Sequence, residues 1–168
     1  MGRLKDKSLG YTLQYATRMA MAILQERIKE HNVAVGQFPI LVHLWEEQGI
    51  TQKALCNLIR VEQPTLANTL KRMERDGLIK RVPDKEDKRQ WRIYLTQRAL
   101  DLKEVLQEES RSVNQIIVGE MNETEQKEFM RLIGIVTSTL KDELSKGMKN
   151  KAATQCYGHK KNNKKDGV

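Results

Sequence analysis

Residues 62–96 read EQPTLANTLKRMERDGLIKRVPDKEDKRQWRIYLT, and the fold turns on this stretch. In its first half Leu66, Leu70 and Met73 recur at helical intervals. Pro64 is tolerated in a first helical turn, and Gly77 stands where a helix end wants a left-handed residue. A helix is therefore expected from about Gln63 to Asp76. The second half changes period. In WRIYL, Trp91, Ile93 and Leu95 alternate with Arg92 and Tyr94, the pattern of a half-buried strand, and LIKRV reads as its partner. The loop between them, Pro83 to Gln90, is longer than a tight turn, and all of it but Pro83 is charged or amide-bearing.

Upstream and downstream the spacing is helical. Leu13, Ala16, Ala20, Ile23, Leu24 and Ile28 predict a helix from about Leu9 to Glu30. A second is expected from about Gln37 to Gln48, with Phe38, Ile40, Leu41, Leu44 and Trp45 as its apolar positions. Thr51 is a good N-cap for a short third helix to about Ile59, with Leu55 and Leu58 inward. Thr96 caps a long helix to about Val118. Asn122 and Glu125 have the spacing of a capping box ahead of a last helix to about Leu144. Two helices joined by a short turn and followed by a two-stranded hairpin describe a winged helix-turn-helix, in which the second helix enters a DNA major groove. The expected fold is mainly α with a small β-hairpin wing. Residues 1–145 would form a single domain, and 146–168 a basic, disordered tail too hydrophilic to bury itself.

The polar side chains of the central helix share a face. With residues 100° apart, Asn68, Thr69 and Arg72 fall within about 60° of Thr65, and the apolar stripe lies roughly 100° away. Arg72 suits guanine O6/N7 or a phosphate, Asn68 suits adenine N6/N7, and threonine methyls suit thymine. Gln52 and Gln63 fall near helix N-termini, where backbone amides also favour phosphate. The hairpin loop contains Lys85, Lys88 and Arg89 together with Asp84, Glu86 and Asp87. An Asp87–Arg89 ion pair would brace the loop and leave basic tips exposed.

Charge distribution points the same way. The net charge of +8 divides unevenly: residues 146–168 hold seven lysines and one aspartate, while residues 51–92 hold 11 basic and 6 acidic side chains. A compact basic segment on a mildly acidic body marks either a polyanion-binding face or a solvated surface. The basic tail fits nucleic-acid attraction or simple solubilisation equally. No apolar run approaches the roughly 20 residues that span a membrane. Residues 1–7 lack a signal-peptide core, so a cytoplasmic setting is expected. Cys56 and Cys156 match no metal spacing, and neither do His31, His43 and His159. There is no Gly-rich phosphate loop or nucleophile motif either, so no catalytic residue and no cofactor is expected.

The segment TQKALCNLIRVEQPTLANTLKRMERDGLIKRVPDKEDKRQWRIYLT resembles the MarR family of winged-helix regulators. The resemblance covers about Leu9 to Leu144 and is most specific in RMERDGLIKR, in the wing motif Asp87-Lys88-Arg89 and in the closing LT. It implies a homodimer built on terminal helices (about 9–35 and 97–145) that flank a DNA-binding lobe (about 37–96). It also implies a pseudo-palindromic double-stranded operator, with Arg89 near a minor groove. One departure is Ala67-Asn68, where many relatives carry a Ser/Thr-Arg pair. The resemblance further implies repression relieved by a small aromatic or phenolic effector. Tyr11, Arg18, His43 and Trp45 are candidates to line its pocket, with Arg18 matched to a carboxylate. The family's peroxide-sensing branch uses a cysteine in the first helix, and none is present; Cys56 reads as packing. The competing reading is a winged-helix protein–protein module that has given up DNA.

Overall fold

The computed structural model describes residues 8–158, with side chains through Lys146. The elements run α1 (Leu9–Ile28), α2 (Phe38–Glu46), β1 (Ile50–Thr51), α3 (Gln52–Ile59), α4 (Gln63–Arg75), β2 (Ile79–Pro83), β3 (Trp91–Leu95), α5 (Gln97–Asp101), α6 (Lys103–Val118) and α7 (Glu123–Gly158). Single 3-10 turns at Lys29–His31 and Val35–Gln37 join α1 to α2. Two compact units divide between Ile117 and Val118.

In the first unit α2, α3 and α4 pack on a small antiparallel sheet of order β1-β3-β2. The hairpin register sets Arg81 opposite Ile93 and Pro83 opposite Trp91. The third strand was not expected. It is two residues long, and Ile50 pairs with Ile93 on the side of β3 away from β2. Leu41, Leu44, Leu55, Leu66, Leu70, Met73, Leu78 and Ile93 form one fully buried core. Arg27 fastens α1 to α6 through Glu109 Oε2 at 3.2 Å and Ser112 Oγ at 2.7 Å.

Other boundaries shift for local reasons. Thr51 caps α3 as expected, accepting from the Ala54 N–H at 3.2 Å, but Leu58 points outward and is 52% exposed. Leu55, Cys56 and Ile59 form the inner stripe instead. The expected long helix from Thr96 divides at Leu102 into α5 and α6; Leu102 keeps right-handed angles (φ −78°, ψ −9°). Gly77, at φ +67°, ends α4 with paired bonds, Leu78 N–H to Met73 O and Gly77 N–H to Glu74 O.

The second unit begins with the expected capping box. Asn122 Oδ1 accepts from the Thr124 and Glu125 N–H groups, and Glu125 Oε2 accepts from the Asn122 N–H. Instead of ending near Leu144 and giving way to a disordered tail, α7 runs to Gly158, so residues 146–158 are helical. Lys, Ala and Gln are good helix formers, so polarity alone does not end a helix. Residues 159–168 of the basic tail, His159 among them, lie outside the described residues, as does the Cys156 side chain. No helix among the described residues is long and apolar enough to cross a membrane.

Candidate nucleic-acid interface

Helix α4 has two chemically distinct sides. Leu66, Leu70 and Met73 are at most 1% exposed, whereas Thr65, Asn68 and Arg72 are exposed and Thr69 is half-buried. The Thr69 hydroxyl donates to the Thr65 carbonyl at 3.0 Å, so its proton is committed and it offers only lone pairs and a methyl. Gln52 and Gln63 are the first residues of α3 and α4, where several backbone N–H groups have no helical partner.

The basic side chains of the lobe sort into two groups. Arg75 pairs with Asp76, Arg81 with Glu74, and Arg92 with Asp84. Arg98 donates to the His31 and Asp76 carbonyls. The side chains of Arg72, Lys85, Lys88 and Arg89 make no hydrogen bond or ion pair with another described residue. Cations already held by fixed bonds shape the lobe, while those without an internal partner are available to an external anion. Lys53, Arg60, Lys71 and Lys80 are also exposed and without a partner among the described residues, so the available cations include, besides these, the ones on the outer side of α4 and at the wing tip.

The wing is braced, but not through an Asp87–Arg89 ion pair. Asp87 Oδ1 accepts from the Arg89 main-chain N–H at 3.0 Å, and its Oδ2 accepts from the Gln90 amide at 3.0 Å. The ion pair belongs to Asp84, only 6% exposed, with Arg92, whose other arm reaches the Gly49 carbonyl at 2.9 Å. Three acids in one loop look alike in sequence, and burial singles out Asp84. Gly49 is at φ +76°, and a Cβ there would lie 3.0 Å from Tyr94 Oη.

The N–H groups of Asp87 and Glu86, with Arg92 beside them, hold the Asp84 carboxyl below its usual range. A depressed folded-state value means that the carboxylate stabilises the wing above the unfolded-state value of about 3.9. That contribution is lost as pH falls through the folded value. Asp84→Asn is therefore expected to lower the thermal midpoint at neutral pH, with the gap to the parent closing below about pH 4. A gap that is constant with pH would show that the charge is immaterial.

A second polar cluster, which sequence reasoning missed, joins the recognition lobe to the α1–α2 connection. The buried Gln37 donates to Asp76 Oδ2 at 3.0 Å and accepts from the Ala34 N–H at 2.9 Å. The Gln37 amide first, and then Arg75, lowers the Asp76 carboxyl from its ordinary value. Arg98 spans from the Asp76 carbonyl to the His31 carbonyl, the latter at 2.7 Å. No sequence signal marks these residues, because their partners are 22 to 67 positions away.

The structure gathers Gln52, Gln63 and Arg89 around one cleft of about 400 Å³ between the helix N-termini and the wing. It does not gather the effector-pocket candidates in the same way. Trp45 donates its indole N–H to the Ala99 carbonyl at 3.0 Å and meets Phe38 edge-on, so it serves packing. Tyr11 stacks on Tyr15 with centroids 6.1 Å apart, and Arg18 is exposed on the same helix. His43 is half-buried on α2. None of the four lines this cleft or the one bounded by Gln25, Asp76 and Arg98. Cys56 is buried, with its thiol on the Val61 carbonyl.

A helix-turn-helix whose second helix has a free polar face, followed by a braced basic hairpin, defines a winged helix-turn-helix protein. The MarR family model matches residues 34–91, from the entry to α2 through the wing. The HTH-type transcriptional regulator MgrA of Staphylococcus aureus is 30% identical over 134 residues, covering 79% of this chain and 89% of MgrA. The regulator TtmR of Methylorubrum extorquens (strain PA1) is 30% identical over 98 residues, 58% of this chain, and the match spans half of TtmR's length. The fold is also that of Staphylococcus aureus MepR, solved as a DNA complex: TM-score 0.74, 22% identity, covering 80% of this chain and 99% of MepR. The chain belongs to the MarR family of DNA-binding transcriptional regulators, which are not enzymes.

Proposed function

We propose that two copies of the chain bind one pseudo-palindromic operator in the cytoplasm and repress transcription until a small aromatic or phenolic effector releases them. Each α4 lies in a major groove with Thr65, Asn68, Thr69 and Arg72 toward base edges. Gln52 and Gln63 approach phosphate at the helix N-termini. Lys85, Lys88 and Arg89 extend the contact along the duplex, with Asp87 holding their loop in shape. The observation that carries this reading is that Arg72 on the polar face of α4 and Lys85, Lys88 and Arg89 at the wing tip are exposed and have no partner among the described residues. MepR, which shares the fold, was solved on DNA.

Pairing of chains is supported by apolar side chains left on the surface. Met19 and Met21 on α1, and Ile116 and Ile117 on α6, are exposed in the first unit; Met130, Leu132 and Ile135 on α7 are exposed in the second. Apolar surface of this extent marks a partner-binding face, and a closed two-fold pairing is the commonest way to cover it.

Selection from a random duplex pool tests the proposal. The expected result is an inverted repeat with half-sites about one helical turn apart and an affinity that falls steeply with salt. A pool that yields no motif, with binding insensitive to salt, would favour the protein–protein module. Thermal-shift titration with phenolic acids tests the effector. Stabilisation that Arg18→Ala abolishes supports a carboxylate site on α1.

A further inference from the structure

We propose that the cleft between the wing and the N-termini of α3 and α4 holds one phosphodiester of the DNA backbone, with Trp91 and Lys53 as contact residues beside Gln52, Gln63 and Arg89. The inference rests on the DNA-binding reading and adds two residues that the family resemblance does not assign. Trp91 begins β3 on the strand face that carries Ile93 and Leu95 into the core, yet it is 44% exposed. Its ring is fixed from behind: the Arg81 guanidinium lies 5.9 Å from the ring centroid, and Glu74 holds Arg81 at Nε, 3.0 Å away. An indole positioned this way and left open on one side offers a flat apolar surface and an N–H donor with no partner among the described residues.

The rest of the wall is complementary to an anion. Lys53 and Arg89 are cations with no partner among the described residues, and the side-chain amides of Gln52 and Gln63 are also uncommitted. Among the described residues no carboxylate lines the cleft, although three acids lie in the adjoining loop. Asp84 is turned into its bonds with Arg92 and the loop backbone, and Asp87 into Arg89 N–H and Gln90. A wall of donors and cations about 400 Å³ in extent, with an aromatic plate at one side, suits a phosphate with its deoxyribose packed on the indole.

The test titrates the full chain with a fluorescent 30-bp duplex of arbitrary sequence at low salt, following duplex anisotropy and tryptophan emission together. Emission of the parent is expected to change in step with anisotropy. In Trp91→Phe the emission change should vanish, because Trp45 is packed inside the lobe. Trp91→Ala is expected to weaken binding by about tenfold without altering the salt slope, since a neutral donor displaces no counterion. Lys53→Ala should lower that slope by about one. Emission that stays flat while anisotropy reports binding, or a Trp91→Ala affinity equal to the parent's, overturns the assignment and leaves the DNA-binding reading intact. A parent that binds no duplex takes down both.

Discussion

Arg72→Ala is expected to weaken operator binding by roughly 10- to 100-fold while leaving the unfolding midpoint and the dimer unchanged. The two halves of that expectation have separate causes. Arg72 is exposed on α4 and has no partner among the described residues, so its loss removes no bond seen there, and surface changes of this kind cost within about 0.5 kcal/mol. On DNA the same guanidinium has a choice of two targets. If it forks onto a guanine edge, the loss will be larger on the selected motif than on arbitrary duplex. If it meets a phosphate, the loss will be uniform across sequences and the salt slope will fall by about one. A titration of both duplexes across a salt series distinguishes the cases, and equal affinity of variant and parent on both would remove Arg72 from the interface.

The second large effect lies away from the DNA face. Arg98→Ala is expected to destabilise the first unit by about 3 kcal/mol, because two main-chain carbonyls, those of His31 and Asp76, lose a charged donor at once. Each such bond is worth about 1.5–3 kcal/mol, and partial solvent access lowers the sum. Arg98→Lys should recover only part of the loss, since one ammonium cannot span both acceptors as a planar fork does. Asp76→Asn should be milder still, because the carbonyl that Arg98 uses belongs to the main chain. Urea unfolding of the three variants is the measurement, and an Arg98→Ala midpoint equal to the parent's would mean that the bridge is not holding the α1–α2 connection to the end of α4. The consequence reaches function through geometry. Asp76 caps the helix that carries Arg72, so releasing it should also broaden the orientations that α4 adopts.

Reading order from the chain worked best where the determinants are neighbours. The stripe of Leu66, Leu70 and Met73, with Gly77 closing the helix, is a pattern within 12 residues, and the structure reproduces it. The caps at Thr51, Thr96 and Asn122 are likewise contacts across two or three residues. Leu58 shows the limit of that method. Leu55 and Leu58 sit three apart, which admits a stripe on either side of Leu55, and the choice of Cys56 and Ile59 depends on what packs against the helix. Strand β1 is too short to show a period at all, and it exists because Ile93 is there to pair with it.

The order of the main helices and the β2–β3 hairpin, the polar face of α4 and the charge of the wing were determined by the sequence itself, because periodicity, capping and composition are set by adjacent residues. Only the tertiary structure decided which charges remain available. It buried Asp84 against Arg92, committed Arg98 to two distant carbonyls, and left Arg72 and Arg89 without a partner among the described residues. The physical reason is that an ion pair or a desolvated acid is a property of two groups brought together by folding. The spacing of like residues along the chain carries no record of which of them will meet.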